Sequence, residues 1–425
     1  MARDVVIVPH THWDREWYSP FQTFRLRLVD LLDDLLPRLE ADPSYGHFLL
    51  DGQMAVVDDY LAVRPEAEAT LRRLATSGRL SMGPWYILMD EFLVSGETMI
   101  RDLQLGLERA SAFGGAMAVG YLPDMFGHIA QMPQLLRQFG LDQAVVWRGV
   151  PAAMDRPAFW WEAPDGSQVR AQYLPEGYGN GAALPDDAKE LVAMIRRFEE
   201  TYGALAGGAD DGPLLWMNGT DHQVPRPWLG RVVAEANAIQ DDYRLRVASL
   251  PEYLAGAPVE GLAHVTGELR SGARANLLMG VASNRVDVHQ ASIVTERALE
   301  RRAEPLSALW RPAPGWPAAL LAEAWRLTIL NSAHDSVCAC SVDEVCDAVL
   351  HRYAEARQIA DGLTDRAVAA LGREVGGPRP LAVNASARAR TGLVEIVESG
   401  TGPIEGTQLL RTYAGEGVVE GMTRA

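Results

Sequence analysis

The run Pro9-His10-Thr11-His12-Trp13-Asp14-Arg15-Glu16-Trp17-Tyr18 follows directly on Val5-Val6-Ile7-Val8. The four apolar residues read as a strand buried on both faces. In an extended chain, residues two apart share a face, so His10, His12 and Asp14 can point the same way. Two imidazoles and a carboxylate suit Zn²⁺ or a similar divalent ion. The alternative is a pair of capping or core histidines. Three ligand-type side chains in alternation after a first strand favour the metal.

Three later segments could complete such a site. Gly120-Tyr121-Leu122-Pro123-Asp124-Met125-Phe126-Gly127-His128 puts Asp124 at a strand end before a helix, where a carboxylate is either an N-cap or a catalytic group. Trp216-Met217-Asn218-Gly219-Thr220-Asp221-His222 delivers Asp221 on a glycine-containing turn. In Asn331-Ser332-Ala333-His334-Asp335-Ser336-Val337-Cys338-Ala339-Cys340, His334 ends a helix and Asp335 could hold its ring nitrogen. The Cys-x-Cys spacing is too tight for a zinc ribbon and reads as two small buried side chains. Trp13, Trp85, Trp147, Trp160 and Trp161 stand at or near strand ends, where their faces suit sugar rings. Asp51, Gln53, Asp90, Glu91, Glu97 and Arg148 are polar groups at similar positions.

The elements that must position these groups alternate. Strands are expected at Val5–Val8, Phe48–Leu50, Leu80–Gly83, Val119–Leu122, Gln143–Trp147 and Leu214–Met217. Trp160–Ala163 and Gln168–Tyr173 read as a hairpin around Pro164-Asp165-Gly166. Helices are expected at Thr23–Leu36, Ala67–Thr76, Thr98–Ala112, Met132–Phe139, Asp186–Tyr202 and Trp228–Ile239. This is the pattern of a parallel α/β sheet, whose sites sit at the carboxyl ends of the strands. After about Glu268 it gives way to three long helices, Val286–Leu309, Pro317–Asn331 and Asp343–Leu371. From Gly376 the chain turns extended, with a β-like run at Gly392–Val397.

A chain of 425 residues, 48% hydrophobic, can bury a large core. A net charge of −17 repels phosphate backbones, so neither nucleic acid nor an anionic membrane is an expected partner. The three cysteines, Cys338, Cys340 and Cys346, make no disulfide framework and fit a reducing compartment. Met1-Ala2-Arg3-Asp4 opens no signal-peptide pattern, and no apolar run is long enough to span a bilayer. The expected location is the cytoplasm.

In combination and in order, His10-Thr11-His12-Trp13-Asp14-Arg15-Glu16-Trp17, Leu50-Asp51-Gly52-Gln53, Gly83-Pro84-Trp85-Tyr86, Pro123-Asp124-Met125-Phe126-Gly127-His128 and His334-Asp335-Ser336 resemble glycoside hydrolase family 38, the retaining α-mannosidases. The similarity is strongest to the family's bacterial, mannosylglycerate-hydrolase-like branch and reaches to about Tyr353. It implies a seven-stranded α/β barrel over residues 1–267 and a three-helix bundle over 268–375. Residues 376–425 would begin a β-type domain that the family continues much further. The resemblance also implies one zinc ion per chain, held by His12, Asp14, Asp124 and His334, with His10 in support. Asp124 would double as nucleophile, and Asp221 would be the acid/base. Trp13, Trp85, Arg148 and Asp335 would contact the substrate, an α-mannoside or oligosaccharide. A second polypeptide could supply the further β domains. Two other readings compete. One is a metal-dependent amidohydrolase or polysaccharide deacetylase, in which the metal generates hydroxide. The other is a truncated, inactive sugar-binding remnant.

Overall fold

Val5, Val6, Ile7 and Val8 are fully buried, as a β-branched run with neighbours on both edges should be. In the computed structural model, which describes residues 2–207, 212–377 and 381–393, this run lies in β1 (Arg3–Thr11). Nine strands follow: β2 (Phe48–Leu50), β3 (Leu80–Ser81), β4 (Gly120–Leu122), β5 (Gln143–Val146), β6 (Ala158–Glu162), β7 (Gln168–Tyr173), β8 (Leu214–Asn218), β9 (Tyr243–Val247) and β10 (Ala263–Thr266). They form two five-stranded sheets. The first runs β3-β2-β1-β8, with β9 also on β1. On one edge of β1, β8 pairs Val5 to Pro9; on the other, β9 pairs Arg3 to Ile7 and β2 pairs His10 and Thr11. The second runs β10-β6-β7-β5-β4. Every pairing is parallel except β6 with β7, the expected hairpin. Its turn is held by Asp165, which accepts the Ser167 N–H at 2.9 Å.

Val6 and Val8 join Leu49, Tyr121, Val145 and Met217 in one buried cluster, so side chains from both sheets share an interior. His10 and His12 have the same parity as Val6 and Val8. One strand face therefore passes from apolar core to chemistry as it reaches its carboxyl end.

A closed seven-stranded barrel was expected; among the described residues no ladder joins the two sheets. The short strands β3 and β4, of two and three residues, spend their ladders on β2 and β5 and form none across the seam between them. Single hydrogen bonds stitch it instead: the Met117 N–H to the Met82 carbonyl at 2.9 Å and the Trp85 indole to the Tyr121 carbonyl at 3.0 Å. At the other seam the Asn180 amide stands in for a strand. It donates to the Leu215 carbonyl at 2.8 Å and accepts from the Met217 N–H at 2.7 Å.

The helices fall close to their expected places. The first runs Phe21–Ala41 and continues through Pro37 because Leu35, Leu36 and Leu39 are all buried. The helix Ala55–Leu61, β9, β10 and the helix Leu250–Gly256, which Ser249 and Glu252 cap reciprocally, were not foreseen. The later chain is helical as expected, with helices Val286–Ala298, Glu304–Trp310, Ala318–Asn331 and Asp343–Val375 and a π-turn at Leu299–Ala303. Two compact units emerge. Among the described residues, one comprises those of 2–293 and 325–354, and the other those of 294–324 and 355–393. Within the second, Arg302 pairs with Asp361 at 3.0 Å. Of the β-like run expected at Gly392–Val397, Gly392 and Leu393 are in no strand, and Val394–Val397 lie outside the described residues.

Candidate functional site

The carboxyl end of β1 is extended by a parallel bridge between His12 and Asp221. The His12 N–H donates to the Thr220 carbonyl at 3.1 Å, and the His222 N–H to the His12 carbonyl at 2.8 Å. This brings Asp221 beside the histidines. Gly219 is required at the crossing: a Cβ there would lie 2.0 Å from the His10 carbonyl oxygen. Gly219→Ala is expected to cost about 1–3 kcal/mol through overpacking, read as a lower urea midpoint.

His12, Asp14 and His334 each present one ligand atom within 4.8 Å of the other two, and all three residues are buried. Asp14 Oδ1 is 3.2 Å from both His12 Nε2 and His334 Nε2. Asp124 Oδ2 lies 3.9 Å from the first nitrogen and 3.8 Å from the second. His12 Nε2, His334 Nε2 and Asp14 Oδ1 are buried without a hydrogen bond. The other ring atoms explain why. His12 Nδ1 lies 3.1 Å from Asp51 Oδ1, and His334 Nδ1 lies 3.1 Å from the Leu88 carbonyl. Each acceptor fixes the Nδ1 side of its ring and turns Nε2 toward one point, the arrangement of a metal-binding imidazole. Ligands at about 2.0–2.2 Å from one ion stand roughly 3.4 Å apart in a tetrahedron; the His12, Asp14 and His334 donors fit such a group, and Asp124 Oδ2 stands somewhat further from both nitrogens. His10 is not among them. Its Nε2 lies 2.7 Å from the Tyr178 carbonyl.

The electrostatics point the same way. Burial works to lower the His12 pKa, but the charges of Asp51 and Asp14 outweigh it and hold the ring well above the ordinary value. His334 is likewise raised to about 10 by Asp335, Asp14 and Asp124 against burial. Burial works to raise Asp14, yet the two imidazoles hold it well below the usual carboxylate range. The cluster has an excess of buried negative charge and draws protons in place of a cation.

Asp124 faces a second set of partners. Arg148 donates through Nε to Asp124 Oδ1 at 2.7 Å and through Nη1 to the Asn276 carbonyl at 2.6 Å. The Tyr178 hydroxyl lies 2.8 Å from Asp221 Oδ1 and 3.4 Å from Asp124 Oδ2. Those two oxygens are thus no further apart than 2.8 and 3.4 Å laid end to end, below the roughly 6.5 Å at which inverting glycosidases begin. Burial raises the Asp124 pKa, opposed by Arg148, His334 and His12. All of this borders a cavity of about 500 Å³ lined by Asp14, Asp124, Arg148, Tyr178, Asp221 and Asp335, with aromatic walls from Trp17, Phe126 and Trp147.

Two expected substrate contacts lie elsewhere. Trp85 is fully buried and spends its indole on the Tyr121 carbonyl. Trp13 is buried edge-on to Phe24 and His222. Their places at the cavity are taken by Trp17, Phe126 and Trp147. Tyr178, which joins the two acids, was missed. Its signal is the glycine-rich run Gly177-Tyr178-Gly179-Asn180-Gly181, in which a Cβ on Gly177 would meet the Trp147 ring at 2.8 Å. Asp51, singled out only as a polar group, holds His12 and also accepts the Trp13 N–H at 2.7 Å.

Comparison with known proteins bears on this geometry. Residues 2–261 match the N-terminal domain of glycosyl hydrolases family 38, and residues 276–371 match the α-mannosidase middle domain. A provisionally named mannosylglycerate hydrolase from Halalkalibacterium halodurans is 35% identical over 364 residues, 81% of this chain and 40% of that protein. α-Mannosidase 2C1 from Homo sapiens is 25% identical over 395 residues, 88% of this chain and 36% of that protein. The crystal structure of an α-mannosidase from Enterococcus faecalis superposes with a TM-score of 0.82 at 34% identity, covering 87% of this chain and 43% of that one. The chain thus spans about two fifths of the length of these three relatives.

Proposed function

Because this chain belongs to glycosyl hydrolase family 38, we propose that it hydrolyses α-mannosides with retention of configuration, Asp124 acting as nucleophile and Asp221 as acid/base. The observation that carries this reading is the Tyr178 hydroxyl set between the two carboxylates. One hydroxyl reaching both carboxylates keeps them short of the roughly 6.5 Å of inverting enzymes and supports direct attack by one of the pair. In the first step a carboxylate oxygen of Asp124 bonds to the anomeric carbon. The bond from that carbon to the leaving oxygen breaks, and the Asp221 proton passes to that oxygen. In the second step Asp221 takes a proton from water, whose oxygen displaces Asp124 from the sugar.

Arg148 holds Asp124 Oδ1 and so fixes the orientation of the carboxylate, whose Oδ2 faces the two imidazoles. Tyr178 has one proton for two acceptors. It can favour Asp124 while that group is a carboxylate, and Asp221 once Asp124 has become an ester. One zinc ion per chain, held by His12, Asp14, Asp124 and His334, would supply a Lewis-acid contact for sugar hydroxyls. Trp17, Phe126 and Trp147 give the cavity apolar faces that suit a pyranose ring. Asp335 lines the same wall and offers an acceptor for hydroxyls. A reducing, cytoplasmic setting goes with this reading, since the cysteines are free.

The deciding experiment is to incubate the protein with a 2-fluoro mannoside carrying a good leaving group and to map the modified peptide. A sugar ester on Asp124 is the expected result. Turnover of an N-acetylated or amide substrate without sugar labelling would favour the deacetylase reading, and mannose binding without turnover the inactive remnant. Tyr178→Phe removes hydrogen bonds to charged groups worth about 1.5–3 kcal/mol. It is expected to lower kcat by roughly 10- to 150-fold and leave KM within a few-fold. A change confined to KM would place Tyr178 in binding alone.

A further inference from the structure

A second group of ligand-type side chains stands at the same cavity and has no part in the chemistry above except through Asp335. Cys338 and Cys340 are two residues apart, and Ala339 between them has φ +52°, a left-handed turn that sets both sulfurs on one side. The sulfurs are 3.1 Å apart. Cys340 Sγ is 2.9 Å from Asp335 Oδ1. One ligand atom from each of the three residues lies within 4.8 Å of the others. Cys338 is buried, while Cys340 is half-buried and lines the cavity, so the group has an entry path.

We propose that Asp335, Cys338 and Cys340 form a second metal site, selective for thiophilic divalent cations such as Cd²⁺ or excess Zn²⁺ and open to the cavity at its fourth position. Two sulfurs and a carboxylate are a soft donor set, unlike the nitrogen and oxygen donors around His12 and His334. Two thiolates on one ion at about 2.3 Å stand roughly 3.8 Å apart, so the sulfur pair need open only slightly. On binding, both S–H bonds break and their protons go to solvent. Two metal–sulfur bonds form, and the two thiolates balance the charge of the ion. Occupancy engages Asp335 and so removes one acceptor from the cavity wall. The proposal is independent of the glycosidase reading, because metal content and thiolate absorption report it without any substrate.

The test uses the whole chain loaded with zinc, reduced, and titrated with CdCl2. Wild type is expected to take up one ion more per chain than Cys338→Ser/Cys340→Ser, and only wild type to develop sulfur-to-cadmium charge-transfer absorption. Equal uptake with no such band overturns the proposal. Because the double variant can misfold, a second measurement uses the unaltered protein. Saturating Cd²⁺ is expected to slow maleimide labelling of Cys340 by about tenfold or more; an unchanged rate overturns the proposal. So does isolation of Cys338 and Cys340 as a disulfide that resists reductant.

Discussion

Asp124→Ala is expected to lower kcat on a nitrophenyl α-mannoside by about 10⁴-fold or more, the scale on which loss of a catalytic nucleophile is felt. The same substitution is expected to weaken metal binding. Both effects follow from one carboxylate serving two neighbourhoods: Oδ2 lies 3.9 and 3.8 Å from the two imidazole nitrogens, and Oδ1 receives Arg148. Removing it also strands a largely buried guanidinium, which costs stability because an unpaired buried charge is expensive. Asp124→Asn separates the roles. The amide keeps an oxygen for the ion but is no nucleophile, so zinc content should largely survive while turnover does not. Steady-state rates beside elemental analysis of both variants check this. An unchanged rate in Asp124→Ala would remove Asp124 from the chemistry, and unchanged zinc would remove it from the ligand set.

The β1 segment was legible because strand parity is rigid. Once Val6 and Val8 face the interior, His10 and His12 must follow, and the sequence pattern is enough to say so. Parity could not say which histidine serves a metal. That depends on what each ring meets, the Tyr178 carbonyl for His10 and Asp51 for His12, and both partners come from distant loops. His334 is out of reach of any spacing argument. Its placement depends on the Leu88 carbonyl, which accepts both its N–H at 3.0 Å and its Nδ1–H at 3.1 Å, so only family resemblance could nominate it. Trp13 and Trp85 misled because a tryptophan at a strand end serves the core as readily as a rim, and sequence carries no sign of which. β9 and its following helix were readable. Tyr243, Leu245 and Val247 alternate with arginines, and Ser249-Leu250-Pro251-Glu252 is a capping-box pattern. The missing barrel ladders were not readable, since no residue type marks a seam that side-chain and single backbone hydrogen bonds stitch in place of a ladder.

Removal of the proposed zinc ion is the second large effect expected. Asp14, Asp51, Asp124 and Asp335 converge on two imidazoles, so the ion-free cluster must be neutralised by protons. Zinc at 1,000 times its Kd would stabilise the fold by about 4 kcal/mol, and chelation should lower Tm by several degrees and abolish turnover, both restored by added zinc. The pH dependence has a definite sign. Without the ion, His12 is held well above its ordinary pKa and His334 is raised to about 10. Both rings therefore carry protons across the neutral range, and each must release one for its Nε2 lone pair to bind. Affinity for zinc should rise with pH by up to roughly a hundredfold per unit, ten for each proton released. Competition titrations against a chromophoric chelator at pH 6 and pH 8 measure the slope. A flat response would mean that the imidazoles are neutral before the ion arrives, and that the carboxylates around them do not impose the charge their positions require.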